Sequence, residues 1–307
     1  MAFLRLLESL RTPFLNGFFS AVTYCGDQIF FFLAAMTLYW CIEKRSAYYT
    51  FCVCLLTIVC NQYLKIIFEI PRPWIIDPDF TIVESARAAA EGFSFPSGHT
   101  QNVVALSGCI ALCFRKRAVR AVCLIFAVLV SFSRMYLGVH TPLDVGGGAA
   151  ISLGLVFALF GLYACEQAAY RKKMPVVFAL IGAFLIGLLI LLSPRDKSLK
   201  DVASGVKNAW TLLGCLFGFA TFWFFDEYRL SFEIKAPLPG QLLKVAGGLA
   251  SMLLLKEVLK APLYALFGGS YFADFWRYWI TVGLVGCLWP MSFSYLSKIG
   301  KKEETQT

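Results

Sequence analysis

Long apolar stretches recur along this chain of 307 residues and are separated by short polar segments. Several approach or exceed the roughly 20 residues that a helix needs to cross a bilayer. The pattern predicts an all-α fold, a polytopic bundle of membrane helices. It places nine spans at about residues 28–42, 46–68, 100–114, 121–137, 143–165, 174–193, 208–225, 241–259 and 275–297.

Residues 2–24, before these spans, have a different pattern of Leu and Phe broken by polar side chains. Arg5, Glu8, Arg11 and Asn16 are the interruptions. A mixture of this kind is typical of a helix that lies in the membrane interface. We therefore expect one interfacial helix here, followed by a break at Gly26.

The composition agrees with a membrane protein and excludes two other classes. Hydrophobic residues make up 59% of the chain and charged residues 15%, against about 45–50% and 25% in soluble domains. The net charge of +9 comes from basic residues between the apolar runs, where they contact lipid headgroups, so we expect no nucleic-acid partner. Most of the eleven cysteines lie inside apolar runs as packing residues, and no Cys/His spacing suits a metal.

The basic residues also predict the orientation in the membrane, because cytoplasmic loops carry an excess of Lys and Arg. With nine spans, one side collects most of them, including the pairs Lys44-Arg45 and Lys172-Lys173. We therefore expect an extracytoplasmic N-terminus and a cytoplasmic C-terminal tail. The short loops favour a bacterial plasma membrane.

A first candidate motif is Lys65-x6-Arg72-Pro73, at the outer end of the second span. A lysine at that depth is costly in lipid, so it should face a polar cavity or an anion. The guanidinium of Arg72 offers a planar fork of donors that suits phosphate oxygens. A snorkelling lysine and an ordinary interfacial arginine are the alternative interpretation.

A second candidate motif, Pro96-Ser97-Gly98-His99, precedes the third apolar run and has the form of a helix start. Free backbone N–H groups and the helix dipole attract anions there. Ser97 can donate its hydroxyl proton, Gly98 allows close approach of the backbone, and His99 could protonate a leaving oxygen. A Ser N-cap followed by a solvent-facing histidine is the alternative.

The third motif is Ser133-Arg134-x5-His140-x3-Asp144, where the fourth run ends and the fifth begins. Asp144 can accept a hydrogen bond from one imidazole nitrogen of His140 and leave the other free to attack. Arg134 adds a second fork of donors. All three motifs lie at span ends on one predicted membrane face, and they contain both histidines of the chain, which indicates one shared phosphate site.

Together the three motifs resemble the signature of the type 2 phosphatidic acid phosphatase (PAP2) superfamily, without a substitution. The resemblance implies a helical core related to vanadium haloperoxidases, and hydrolysis through a phosphohistidine with no metal or other cofactor. It implies that His140 is the nucleophile, Asp144 its orienting partner, and His99 the acid and later the base. The implied phosphate cradle is Lys65, Arg72, Ser97, Gly98 and Arg134.

The resemblance covers residues 1–165, which we expect to be the catalytic core, and leaves 166–307 as a four-span extension with a short tail. The nine-span layout resembles the glucose-6-phosphatase and sphingosine-phosphate phosphatase branches. The extension either shapes substrate access or forms a homodimer interface. The expected substrate is a lipid phosphate or pyrophosphate among the membrane lipids, with a lipid phosphotransferase or a soluble sugar phosphatase as alternatives.

Overall fold

The computed structural model describes residues 1–88, 90, 92–196, 200–230 and 232–300. This part of the chain is helical and contains no β-strand. The predicted cytoplasmic tail, residues 301–307, lies outside the described residues. The helices are α1 (Ala2–Ser9), α2 (Pro13–Thr23), α3 (Gln28–Thr37), α4 (Lys44–Phe68), α5 (Pro73–Ile76), α6 (Gly98–Cys113), α7 (Arg117–Tyr136), α8 (Pro142–Ala164), α9 (Gln167–Leu192), α10 (Lys200–Tyr228), α11 (Leu238–Val258), α12 (Lys260–Leu266), α13 (Phe272–Leu288) and α14 (Phe293–Leu296).

The number of helices that can cross a membrane is smaller than the nine predicted. Among the described residues, six segments are long and apolar enough, and a seventh is reached if the bent pair Pro13–Gly26 and Gln28–Ile42 counts as one span. The prediction of nine is therefore too high by this criterion. Helix α6 has only 16 residues, fewer than a bilayer requires, and α11 is not among the six. The six segments are Lys44–Ile76, Arg117–Tyr136, Pro142–Ala164, Gln167–Leu192, Val202–Tyr228 and Phe272–Leu296.

The N-terminal region forms two helices instead of the single interfacial helix predicted for residues 2–24. Helix α1 ends at Ser9, and α2 starts afresh with Thr12 as its N-cap, which accepts a hydrogen bond from the Leu15 amide, and Pro13 in its first turn. Thr followed by Pro is a strong helix-start signal. Helix α1 has both buried and exposed apolar side chains. Leu4 and Leu7 are buried, whereas Phe3 and Leu6 are exposed.

The described chain divides into two compact units. The first comprises residues 1–32, 49–173 and 196–202, and contains every residue of the three motifs. Within it, α6 packs against α7 and α8, and α2 packs against α7. The second unit comprises residues 33–48, 174–195 and the chain from 203 onward, where α13 packs against α11 and α12.

The long connection between α4 and α6 is ordered by short elements and by apolar anchors. It contains α5 and a 3-10 turn at Glu84–Ala86. Ala86 and Ala90 join a buried cluster with Phe19 of α2 and with Leu137 and Val139, which follow α7. This packing holds the connection over the end of α7 and fixes where Arg72 lies.

Candidate active site

Four helix ends meet in the first unit, and each brings one part of the predicted motifs. Lys65 lies in the last turn of α4, Ser97 caps α6, Arg134 lies in the last turn of α7, and His140 precedes α8. The Ser97 amide donates to the Asp144 carbonyl at 3.1 Å, so the starts of α6 and α8 are joined directly. Residues far apart in sequence are thereby assembled into one site.

His140 is buried in the turn that links α7 to α8, with 2% of its surface exposed. Its Nε2 lies 3.0 Å from Nη1 of Arg72. A guanidinium can only donate, so Nε2 is the acceptor and the ring proton sits on Nδ1. The lone pair of Nε2 therefore points at the Arg72 guanidinium.

Asp144 anchors this turn more than it contacts the imidazole. Its Oδ2 accepts hydrogen bonds from the Ser94 hydroxyl at 2.6 Å and from the Thr141 amide at 2.7 Å. The Thr141 side chain in turn accepts from the Asp144 amide, which completes a capping box at the start of α8. Nδ1 of His140 lies 3.6 Å from Oδ2, which is longer than the direct hydrogen bond that the sequence suggested.

The surroundings of His140 favour its neutral form. Burial lowers the pKa of His140 well below its usual value, and the positive charges of Arg72, Arg134 and Lys65 lower it further. A neutral imidazole keeps the lone pair that a nucleophile needs.

His99, in the first turn of α6, has an acidic neighbour that the sequence analysis did not single out. Its Nε2 lies 2.9 Å from Oδ1 of Asp27. Burial and the charge of Arg134 lower the pKa of His99 to about 4, while Asp27 acts in the opposite direction. Gly26 permits this approach, since a Cβ there would lie 2.8 Å from the His99 Cβ. The break at Gly26-Asp27 before an apolar run was the available signal.

Arg134 is a buried arginine with unused donors. None of its surface is exposed, and Nη1 donates to the Thr23 hydroxyl at 2.6 Å. Its Nε and Nη2 have no hydrogen-bond partner among the described residues. Buried donors of this kind are rare unless a ligand, an ion or an ordered water satisfies them.

Arg72 is held in place by the backbone around it. Its Nε donates to the Gly92 carbonyl at 2.9 Å, and Nη1 donates to the Val139 carbonyl at 3.0 Å as well as facing His140. The side chain is 3% exposed. Arg72 and Arg134 therefore place two guanidinium groups around the buried imidazole.

The remaining cradle residues differ in how firmly the structure ties them to the site. Ser97 is fully buried and accepts from the Thr100 amide and hydroxyl. Lys65 is half-buried, and its charge acts on both imidazoles. A Cβ on Gly98 would meet only Asn61 at an ordinary 3.6 Å, so the protein itself does not require glycine there.

A small open cavity of about 260 Å³ adjoins the site on the side of His99. Its lining includes the hydroxyl-bearing Ser20, Thr23 and Ser85, together with Tyr24 and His99. His140 and the two arginines do not line it.

Among the described residues no group of three or more His, Cys, Asp or Glu side chains could hold a metal ion. The site offers cationic donors and two imidazoles, and cationic donors suit a phosphate.

Comparison with known families and proteins agrees with this chemistry. The sequence profile of the PAP2 superfamily matches residues 45–167. A second profile, described as PAP2 superfamily phosphatase, transmembrane extension, matches residues 210–302. The two matches agree with an all-α integral membrane protein.

Three curated relatives are similar to this chain. Undecaprenyl-diphosphatase BcrC of Bacillus subtilis is 34% identical over 34% of this chain and 50% of its own length. Phosphatidylglycerophosphatase B of the same organism is 31% identical over 50% of this chain and 77% of its own length. Lipid A 4'-phosphatase of Bacteroides thetaiotaomicron is 30% identical over 48% and 69%. The match to BcrC spans about half of that relative, whereas the other two are matched over more than two thirds of theirs. With its intact motifs and their convergence in one site, the chain belongs to the PAP2 superfamily.

Proposed function

We propose that this protein is a membrane phosphatase that hydrolyses a lipid phosphate or pyrophosphate through a phosphohistidine on His140, without a metal ion. Each of the three relatives is named as a phosphatase or diphosphatase of a lipid. The single observation that carries the proposal is the pair of unsatisfied donors on fully buried Arg134 beside a buried neutral imidazole. A bound phosphate would satisfy both donors.

In the first step, Nε2 of His140 attacks phosphorus while the bond from phosphorus to the leaving oxygen breaks. Arg72 and Arg134 spread their donors over the phosphoryl oxygens, where charge accumulates. The contact of Arg72 with Nε2 is exchanged for a phosphate oxygen, which frees the lone pair for attack. The negative charge of the bound phosphate raises the pKa of His99 from about 4, and the protonated His99 gives its proton to the leaving oxygen.

The leaving group lies on the side of His99, because attack and departure are roughly in line. The 260 Å³ cavity that His99 lines is therefore the place for the group next to the leaving oxygen. In the second step, His99 takes a proton from water, water attacks phosphorus, and the P–N bond breaks. Inorganic phosphate is released and both imidazoles return to their initial states.

We further propose that residues 1–165 form the catalytic core and that 166–307 are an extension. In support, every candidate site residue lies in the first unit, and the superfamily profile ends at residue 167. We place the site on the extracytoplasmic face and the C-terminus in the cytoplasm, as the basic residues predict. Such a position suits an amphiphile whose tail remains in the bilayer.

The test is phosphate release by the purified protein from a panel of lipids. The panel contains phosphatidate, an isoprenyl pyrophosphate, phosphatidylglycerophosphate and a sphingoid-base phosphate, each with EDTA and without it. We expect turnover of at least one lipid, loss of activity in His140→Ala, and no loss with EDTA. Wild-type turnover by His140→Ala would contradict the mechanism.

The intermediate can be tested separately with a ³²P-labelled aryl phosphate, whose leaving group needs no acid. His99→Ala should accumulate a labelled protein that is labile to acid and stable to base. His140→Ala is the matched control and should carry no label. Labelling of both variants, or of neither, would contradict a phosphohistidine at this position.

A further inference from the structure

Arg11, in the break between α1 and α2, contacts the turn that carries the proposed nucleophile. Its Nε donates to the Tyr136 carbonyl at 3.1 Å, at the end of α7. Its Nη1 donates to the Thr81 carbonyl at 2.8 Å, in the long connection. One guanidinium thereby joins the end of α7 to the segment that follows α5.

The same side chain packs against Gly138, two residues before His140. A Cβ on Gly138 would lie 2.6 Å from Arg11 Nη2 and 3.0 Å from the Phe80 ring. Gly138 has a φ of +83°, which L side chains rarely adopt. Arg11 in turn lies over the Phe80 ring, 5.4 Å from its centroid. Gly138 therefore has a conformation that suits glycine, and it packs directly against the Arg11 guanidinium and the Phe80 ring.

The opposite side of this turn faces the phosphate site. The Val139 carbonyl accepts from Arg72 Nη1 at 3.0 Å, and the next residue is His140. Arg11 therefore contacts one side of the turn of residues 136–140, and Arg72 contacts the side that faces the phosphate site. A shift of the turn would change the distance from Nε2 of His140 to a phosphorus atom held by the arginines.

We propose that Arg11 is a positioning residue for His140, and that it links the break between α1 and α2 to the nucleophile. This inference rests on the proposed role of His140. Arg11 does not touch the phosphate site itself, so its contribution passes through the backbone of residues 136–140. Misplacement of a reacting group by about 1 Å can cost roughly 10²-fold in rate.

Helix α1 also contacts the segment after α5 to which Arg11 is hydrogen-bonded. Glu8 accepts from the Thr81 amide at 2.8 Å, and Arg5 forms a bidentate pair with Asp77 at 2.8 and 2.7 Å. None of these contacts reaches residues 136–140. Arg5 is therefore the matched control, an arginine of α1 that binds the same loop through hydrogen bonds that do not involve residues 136–140.

The experiment compares Arg11→Ala, Arg11→Lys and Arg5→Ala in the purified full-length protein, with kcat, KM and inhibition by inorganic phosphate. For Arg11→Ala we expect kcat to fall by about 10–10²-fold, while KM and phosphate inhibition stay within a few-fold of wild type. Arg11→Lys keeps the charge without the fork of donors, so it should recover only part of kcat. Arg5→Ala should keep the wild-type kcat.

A readout independent of folding is rescue by added guanidinium at millimolar concentration, which should raise kcat of Arg11→Ala and leave Arg5→Ala unchanged. The inference is overturned if Arg11→Ala keeps the wild-type kcat, or if it loses kcat and phosphate binding together without rescue. If Arg11→Ala does not fold, the partial kcat of Arg11→Lys decides in the same way. Absence of wild-type turnover on every lipid would instead overturn the proposed function.

Discussion

Two buried arginines of the protein differ in their partners. Arg134 lies in the first unit and Arg277 in the second. Arg277 donates to the Asp274 carboxylate at 3.1 Å and to the Lys256 carbonyl at 2.8 Å, and it lies 3.8 Å from Glu257. Arg134 has one hydroxyl acceptor, and its nearest charges include another arginine. Burial therefore does not distinguish these two arginines; the number of satisfied donors does.

Other buried charges in the second unit follow the pattern of Arg277. Lys44 pairs with Asp226, which also accepts from the Tyr48 hydroxyl at 2.6 Å. Lys244 is fully buried and donates to the carbonyls of Glu233 and Ile234. In the first unit, by contrast, Arg72 and Arg134 both lie near His140, and Nε and Nη2 of Arg134 have no hydrogen-bond partner among the described residues. An anionic ligand would accept hydrogen bonds from these unpaired guanidinium donors.

The largest effect that we predict concerns the paired arginine. Arg277→Ala leaves the Asp274 carboxylate buried without its cation, which should lower the free energy of unfolding by about 3–5 kcal/mol. Thermal unfolding in detergent measures the change. A double variant, Arg277→Met with Asp274→Leu, should regain most of the loss. If Arg277→Ala unfolds like the exposed control Lys260→Ala, the pair is not structural.

The unpaired arginine should behave in the reverse manner. Arg134→Ala removes phosphate donors and should lower kcat by about 10²–10³-fold. Its unfolding temperature should stay the same or rise, because an uncompensated buried charge has been removed. Phosphate release and thermal unfolding on one preparation test both parts. A destabilised Arg134→Ala protein with normal turnover would remove the contrast between the two units.

The smallest effect concerns the acid beside His99. Asp27 raises the pKa of His99 against burial, so Asp27→Asn should lower that pKa further. His99 must be protonated to donate, so the alkaline limb of kcat/KM should move to lower pH by about one unit. The pH profile of wild type, Asp27→Asn and the exposed control Asp79→Asn measures it. An unchanged alkaline limb in Asp27→Asn would mean that Asp27 does not tune the acid.

The sequence was most informative where the signal is local. The apolar runs predicted the helices, and the positions of the motifs at span ends predicted that Arg72, His99 and His140 belong to one site. It overestimated the spans, because a short helix buried within the protein, such as α6, is as apolar as one facing lipid. It missed Asp27, since the proximity to His99 depends on how Gly26 packs against α6.

The sequence by itself determined that the chain is helical and membrane-embedded and that it carries phosphate chemistry, because hydropathy and residue type are properties of each segment. Only the tertiary structure decided which buried cationic side chains keep donors without hydrogen-bond partners. Arg134 meets Thr23 across 111 positions of sequence and Arg72 meets His140 across 68. Whether a buried donor finds an acceptor depends on packing between distant segments, and local sequence does not encode that outcome.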